Sequence, residues 1–204
     1  MKDQKELVRE INERKIIEAA EHVFACYGFK GATTEKISKQ SALPKANIHY
    51  YFKTKANLYH QVLAGILSEW MDSAQAFDNQ EEPRQALTQY VVSKMEFSRL
   101  RPYASKVWAN EMLHGAPIVS EFLETTLKNW LDDRVEVIQG WIDSDKMSAV
   151  DPIVFIYMIW SVTQHYADFE RQMTLLNSGK SFTDEEYKIK TEQVVKLVLT
   201  SVGL

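Results

Sequence analysis

The residues with the most chemistry in this chain gather in two places, 33–55 and 111–168. In the first, Lys45, Ala46, Asn47 and His49 follow Pro44, and Tyr50, Tyr51 and Lys55 come just after. Pro44 fits the opening of a helix, so the first four residues fall at or near its N-terminal end. That is the end a recognition helix points into the major groove of double-stranded DNA. Asn bonds an adenine edge in bidentate fashion, and a small Ala allows close approach or contact with a thymine methyl. Tyr50, Tyr51 and Lys55 carry hydroxyls and charge suited to phosphate oxygens, which set register rather than sequence. Thr34, at the opening of the preceding helix, completes this DNA-contact set. Tyr50-Tyr51-Phe52 cannot all be buried on one short helix, so at least one of the three must face solvent or a ligand.

The second region offers a different chemistry. Gln164 follows Trp160 by one helical turn in an otherwise apolar stretch. A buried amide must be hydrogen-bonded or it costs roughly 1–3 kcal/mol. A flat stacking surface beside a paired donor and acceptor suits a planar, amide-bearing ligand. Trp160 and Gln164 are therefore the expected ligand contacts, with Trp70, Trp108 and Met112 joining from neighbouring helices. Glu111-x-x-His114 and His165-x-x-Asp168 also place a carboxylate and an imidazole one turn apart. Helical bodies with such pairs can hold metals, so a carboxylate/histidine metal-binding enzyme using Glu111 and His114 is the alternative reading. A di-iron bundle needs two Glu-x-x-His motifs and two further inward glutamates; this chain has one such motif. Nucleophile triads, phosphate-binding glycine loops and dinucleotide fingerprints are absent. No catalytic residue, metal or cofactor is expected.

Composition is that of an ordinary soluble globular protein. Apolar residues make up 45% and charged residues 25% of 204, enough to bury a real core. Residues 1–15 lack the apolar core of a secretory signal. The longest apolar run, Ile153 to Trp160, is far short of a bilayer span. A cytoplasmic protein without membrane contact is expected. The single Cys26 rules out internal disulfides and reads as a small buried hydrophobe on the first helix. The net charge is −4, yet residues 1–60 hold 11 Lys/Arg against 7 Asp/Glu, while 61–204 hold 13 against 21. Between Lys30 and Lys55, Glu35 is the only acid beside Lys30, Lys36, Lys39, Lys45, Lys53 and Lys55. A cationic segment on an acidic body attracts phosphates through one face only.

Hydrophobic spacing predicts an all-α chain of about nine helices. The first, over 10–27, carries Ile16, Ile17, Ala20, Val23, Phe24 and Tyr27 as one stripe and ends at Gly28. Thr33 and Thr34 offer caps for a short helix over 35–40, with Ile37 inward. The next runs from Pro44 to about Tyr51, with Ile48 and Phe52 inward. Two short helices joined by a tight turn make a helix-turn-helix. Further helices are predicted over 55–76, 84–100, 103–114, 118–144 and 151–176, and a last one, capped by Thr183, reaches Ser201. The polar run 79–83 reads as a hinge. This divides the chain into a helix-turn-helix domain, 1–54, and a ligand-binding and dimerisation domain, 55–204.

The stretch from Thr33 to Lys55, ending His49-Tyr50-Tyr51-Phe52-Lys53-Thr54-Lys55, resembles the DNA-binding domain of the TetR family of regulators. Pro44 and Ala46 stand where that family often has Ser and Gly. The likeness continues through Glu111-Met112-Leu113, Gly115-Ala116-Pro117, Gly140-Trp141, Asp151-Pro152, Met158-Ile159-Trp160 and Thr163-Gln164-His165-Tyr166-Ala167-Asp168-Phe169. These blocks are similar to the pyrimidine-utilisation branch of the family. The resemblance implies a homodimeric repressor with its ligand inside each helical body and a planar effector such as uracil or thymine. Dimerisation is also expected from the residues: 153–162 are apolar nearly all round, and the last helix carries Val194, Val195, Leu197, Val198, Leu199 and Val202. The interface is therefore expected at about 151–176 and 184–201. Two reading heads on a two-fold axis would match a palindromic operator.

Overall fold

A computed structural model describes residues 4–74 and 82–204, and the regular structure among them is helical. In chain order the helices are α1 Gln4–Gly31, α2 Thr34–Ser41, α3 Lys45–Phe52, α4 Lys55–Ala74, α5 Pro83–Leu100 and α6 Pro102–Leu113. Then follow α7 Ser120–Phe122, a π turn Leu123–Leu127, α8 Lys128–Asp143, α9 Pro152–Asp168, α10 Glu170–Leu176 and α11 Asp184–Ser201. Most of the hinge expected at 79–83, and the end of α4 expected at 76, lie outside the described residues. The chain forms two compact units, one of residues 1–69 and 106–118, the other of 70–105 and 119–204.

In the first unit, α1 packs on α2 and α2 on α3. The stripe on α1 buries Ile16, Ala20, Val23 and Phe24, and the short helices bury Ile37, Ile48 and Phe52. Each of these side chains other than that of Ala20 stabilises the unit by roughly 1.5–3 kcal/mol on full burial. Gly28 takes φ 64° and ψ 173°, a conformation no helix contains, and so kinks α1 where the sequence had placed its end. Two expectations for this turn are corrected: Tyr27 is 54% exposed, and Cys26 is exposed rather than buried. The turn overhangs a cleft of about 820 Å³ lined by Phe29, Tyr59, Asn110, Glu111, His114 and Ile118 among others. Both side chains meet open space there instead of core.

The second unit centres on α5 packed against α9 and α11. Leu87, Tyr90, Val91 and Met95 meet Phe155, Ile156 and Ile159 of α9 and Val194 and Val198 of α11 in one buried cluster. The single helix expected over 118–144 is interrupted by the π turn. Thr125 Oγ1 bonds back to the Glu121 carbonyl at 2.6 Å, and the Lys128 N–H reaches Leu123. That competition for carbonyls widens the turn. The helix expected over 151–176 likewise breaks at Phe169, one residue after Asp168 accepts a hydrogen bond from Ser105 Oγ at 2.7 Å. In and just after α11 the core claims Val194, Val198, Leu199 and Val202, while Val195 is half-buried and Leu197 points outward. On α9, Val154 and Tyr157 are exposed while Phe155, Ile156 and Ile159 are buried, so the helix presents apolar side chains in two directions.

Helix starts follow the chemistry of their caps. Asp151 Oδ1 accepts from the Val154 N–H at 2.9 Å ahead of Pro152, and Thr183 and Glu186 form a reciprocal capping box. Thr183→Ala is expected to lower stability by about 1 kcal/mol in urea unfolding at fixed protein concentration. An unchanged midpoint would show that α11 is held by its core contacts alone.

Candidate functional site

The turn between α2 and α3 is fixed by local bonds. Thr33 caps α2 by accepting from the Lys36 N–H at 3.2 Å. Ala42 takes the left-handed conformation at φ 55°, Ser38 Oγ donates to the Leu43 carbonyl at 2.7 Å, and Leu43 N–H donates to Ser41 Oγ at 3.3 Å. Pro44, at φ −55°, occupies the cap of α3 rather than its first helical position. Ile48 and Phe52 then anchor the inner face of α3. Lys45, Ala46, His49 and Tyr50 form its outer face, all exposed, Tyr50 at 68%. Asn47 and Tyr51 flank that face half-buried, and Thr34 is half-buried in the first turn of α2.

Two of the residues expected to touch phosphate also have internal partners. Tyr51 Oη accepts from Asn12 Nδ2 at 3.4 Å. Lys55 Nζ donates to the carbonyls of Phe29 at 2.7 Å and Ala32 at 2.9 Å, and lies 4.5 Å from the Phe29 ring centre. Lys36 Nζ does the same for Gly31 at 2.9 Å. These ammonium groups satisfy the carbonyls left open where α1 ends. For Lys55 nothing in local sequence signals that role, because its acceptors lie 26 and 23 positions away.

The pair read as a possible metal site is taken apart by its partners. Glu111 is 2% exposed, and its two oxygens accept from Tyr59 Oη at 2.9 Å and from the Ile118 N–H. Burial, with Glu111 beside it, pushes the Tyr59 phenol up. His114 is exposed, with Nδ1 2.7 Å from the Asn110 carbonyl of its own helix. Glu111 thus ties α4 to the loop after α6, which corrects the metal-enzyme alternative. In the other pair, His165 stacks on Phe169 at 4.9 Å while Asp168 bonds Ser105.

Of the expected ligand contacts, Trp160, Gln164 and Trp70 lie in the second unit; Trp108 (buried) and Met112 (half-buried) belong to the first. Trp160 Nε1 donates to Tyr90 Oη at 2.7 Å, and its ring meets Trp130 at 6.2 Å and Tyr157 at 5.5 Å. Gln164 is half-buried, and among the described residues its amide has no hydrogen-bond partner. Trp70 lies 5.7 Å from Phe97, with Lys94 Nζ 4.4 Å from its ring centre. Lys94 is buried, and that burial pushes it down to about 8, with Asp168 opposing the shift. Sequence reasoning passed over Lys94. Its place on the buried stripe of α5, four residues after Tyr90, was the available signal.

Comparison with known proteins gives a consistent picture. Residues 16–62 match the model described as bacterial regulatory proteins, tetR family, and residues 63–204 match that of the YcdC-like protein C-terminal region. The HTH-type transcriptional regulator RutR of Escherichia coli (strain K12) is 36% identical over 190 residues, 93% of this chain and 89% of RutR. The HTH-type transcriptional regulator QacR of Staphylococcus aureus is 38% identical over 58 residues, 28% of this chain and 31% of QacR. Among solved structures, the ketosteroid transcriptional regulator KstR2 of Mycobacterium tuberculosis superposes with a TM-score of 0.78 at 15% identity, covering 93% of this chain and 94% of its own. At that identity it speaks to the fold alone. Among the described residues no helix is long and apolar enough to cross a membrane.

The buried ionisable groups set a pH dependence. Lys94 titrates lower folded than unfolded, so the unfolded chain holds the extra proton between about pH 8 and 10.5 and stability rises with pH across that window. Burial raises the phenols of Tyr59, Tyr90 and Tyr187, so above their ordinary value of 10.0 the unfolded chain loses protons first and stability falls. Urea midpoints should climb from neutral pH toward about pH 10 and drop beyond it. Lys94→Met should abolish the climb; a climb that survives would place its origin elsewhere.

Proposed function

This chain belongs to the TetR family of bacterial transcriptional regulators, and we propose that it is a homodimeric repressor that releases a palindromic operator when a small planar effector binds its second unit. One observation carries the DNA-binding part: α3 is anchored by Ile48 and Phe52 while Lys45, Ala46, His49 and Tyr50 stand exposed on its outer face. In this reading Lys45, Ala46, Asn47 and His49 meet base edges, and Tyr50, Tyr51 and Thr34 meet phosphate and sugar. Lys55, with two of its three protons on backbone carbonyls, chiefly holds the reading head in shape.

The effector reading rests on Trp160, Gln164 and Trp70. A half-buried amide one turn from a tryptophan face supplies a donor and an acceptor beside a stacking surface. Uracil or thymine has matching edges and thickness, and the likeness to RutR favours that class. The exposed apolar face of α9, with Val154 and Tyr157, and Leu197 of α11 supply the dimer interface. Operator and effector favour different arrangements of the dimer, so each weakens the other's binding by the same factor. A protein acting on operator DNA works in the cytoplasm.

Lys45→Ala is expected to weaken operator binding about 10-fold or more, and Tyr50→Phe to weaken it less, both with ligand binding intact. Operator affinity should fall steeply with salt. Loss of ligand binding alone in either variant would contradict this division of labour. Light scattering at micromolar concentration should give a dimer; a monomer would remove the palindrome argument. Calorimetric titration with uracil and thymine is expected to show about one molecule per protomer. Absence of heat from both would remove the pyrimidine assignment and leave the DNA-binding regulator standing.

A further inference from the structure

Along the inward face of α5, Tyr90, Lys94 and Ser98 follow one another at intervals of four residues and so form one row. Both ends of the row are tied to α9. Tyr90 Oη accepts from Trp160 Nε1 at 2.7 Å, and Ser98 Oγ donates to the Thr163 carbonyl at 2.9 Å. Lys94 lies between these two ties along the row. It is 7% exposed, and its Nζ sits 4.4 Å from the centre of the Trp70 ring.

Among the described residues no acceptor takes a hydrogen bond from this ammonium and no carboxylate lies within ion-pair distance. Asp168 acts on it from further along α9 while accepting a hydrogen bond from Ser105. Burial of an ammonium without an anion is unfavourable, and an aromatic face offsets only part of the cost. Core packing alone would be better served by Met or Leu at this place in the row. The ammonium is therefore accounted for if a ligand brings the missing acceptor.

We infer that Lys94 contacts the effector, donating from its ammonium to a carbonyl or ionised oxygen of the planar ligand whose amide edge meets Gln164. This rests on the effector reading above and narrows it: the ligand is a heterocyclic amide with an acceptor oxygen on the edge facing α5. An anionic form of such a ring would gain more from Lys94 than a neutral one.

The test is calorimetric titration of the full-length protein with two probes, neutral uracil and barbiturate, a ring of similar size that is anionic at neutral pH. Wild type, Lys94→Met and Lys94→Gln are compared, with operator affinity as the measure of an intact dimer. Both variants should bind operator as wild type does and lose uracil about 10-fold, with barbiturate falling further, toward 100-fold. A variant that binds operator and retains wild-type affinity for both probes overturns the role of Lys94 and leaves the effector reading in place. Loss of operator binding in both variants makes Lys94 structural and also overturns it. Wild type that binds neither probe removes the effector reading and this inference together.

Discussion

The outer face of α3 can meet another molecule only while its inner face is pinned, and that pinning is the burial of Ile48 and Phe52. A helix of eight residues is too short to be stable alone in water. Its shape is borrowed from α1 and α2, through the apolar stripe on α1 and the left-handed turn at Ala42. Lys36 and Lys55 close the arrangement by taking the carbonyls left open where α1 ends. Positive charge is thereby placed in two settings in this segment, exposed at Lys45 and turned to the backbone at Lys36 and Lys55.

The second unit solves a different problem, keeping polar groups inside a helical body. Tyr90, Ser98, Thr163 and Trp160 satisfy one another across the α5–α9 seam, which fixes the register of the two helices. Lys94 and Gln164 stand in the same seam with no such partner among the described residues. A body that only needed stability would have filled those places with apolar side chains. On the proposed effector reading, the rigid row around them suits a ligand, since donors held by packing lose little freedom when a ligand arrives.

Much of this was legible in the chain. The helical spacing of Ile16, Ala20, Val23 and Phe24, the glycine at 28, the threonine caps and the charge split between the halves all act locally or additively, so a linear reading recovers them. The opposite held at Tyr27 and Cys26, where periodicity pointed inward but both residues line a cleft. Two helices read as continuous proved broken: at 123–127, where the Thr125 hydroxyl competes for a backbone carbonyl, and at Phe169.

The sequence by itself determined the all-α class, the helix-turn-helix with its cationic setting, and the face of α3 that points outward. Each of these follows from residue type at fixed helical intervals. Only the tertiary structure decided which charged residues are partnered. It turned Glu111 into an internal acceptor for Tyr59 and Ile118, Lys55 into a cap on α1, and Lys94 into a buried cation over Trp70. The physical reason is that the energy of a charge depends on what surrounds it, and those surroundings come from residues tens of positions away that no local pattern encodes.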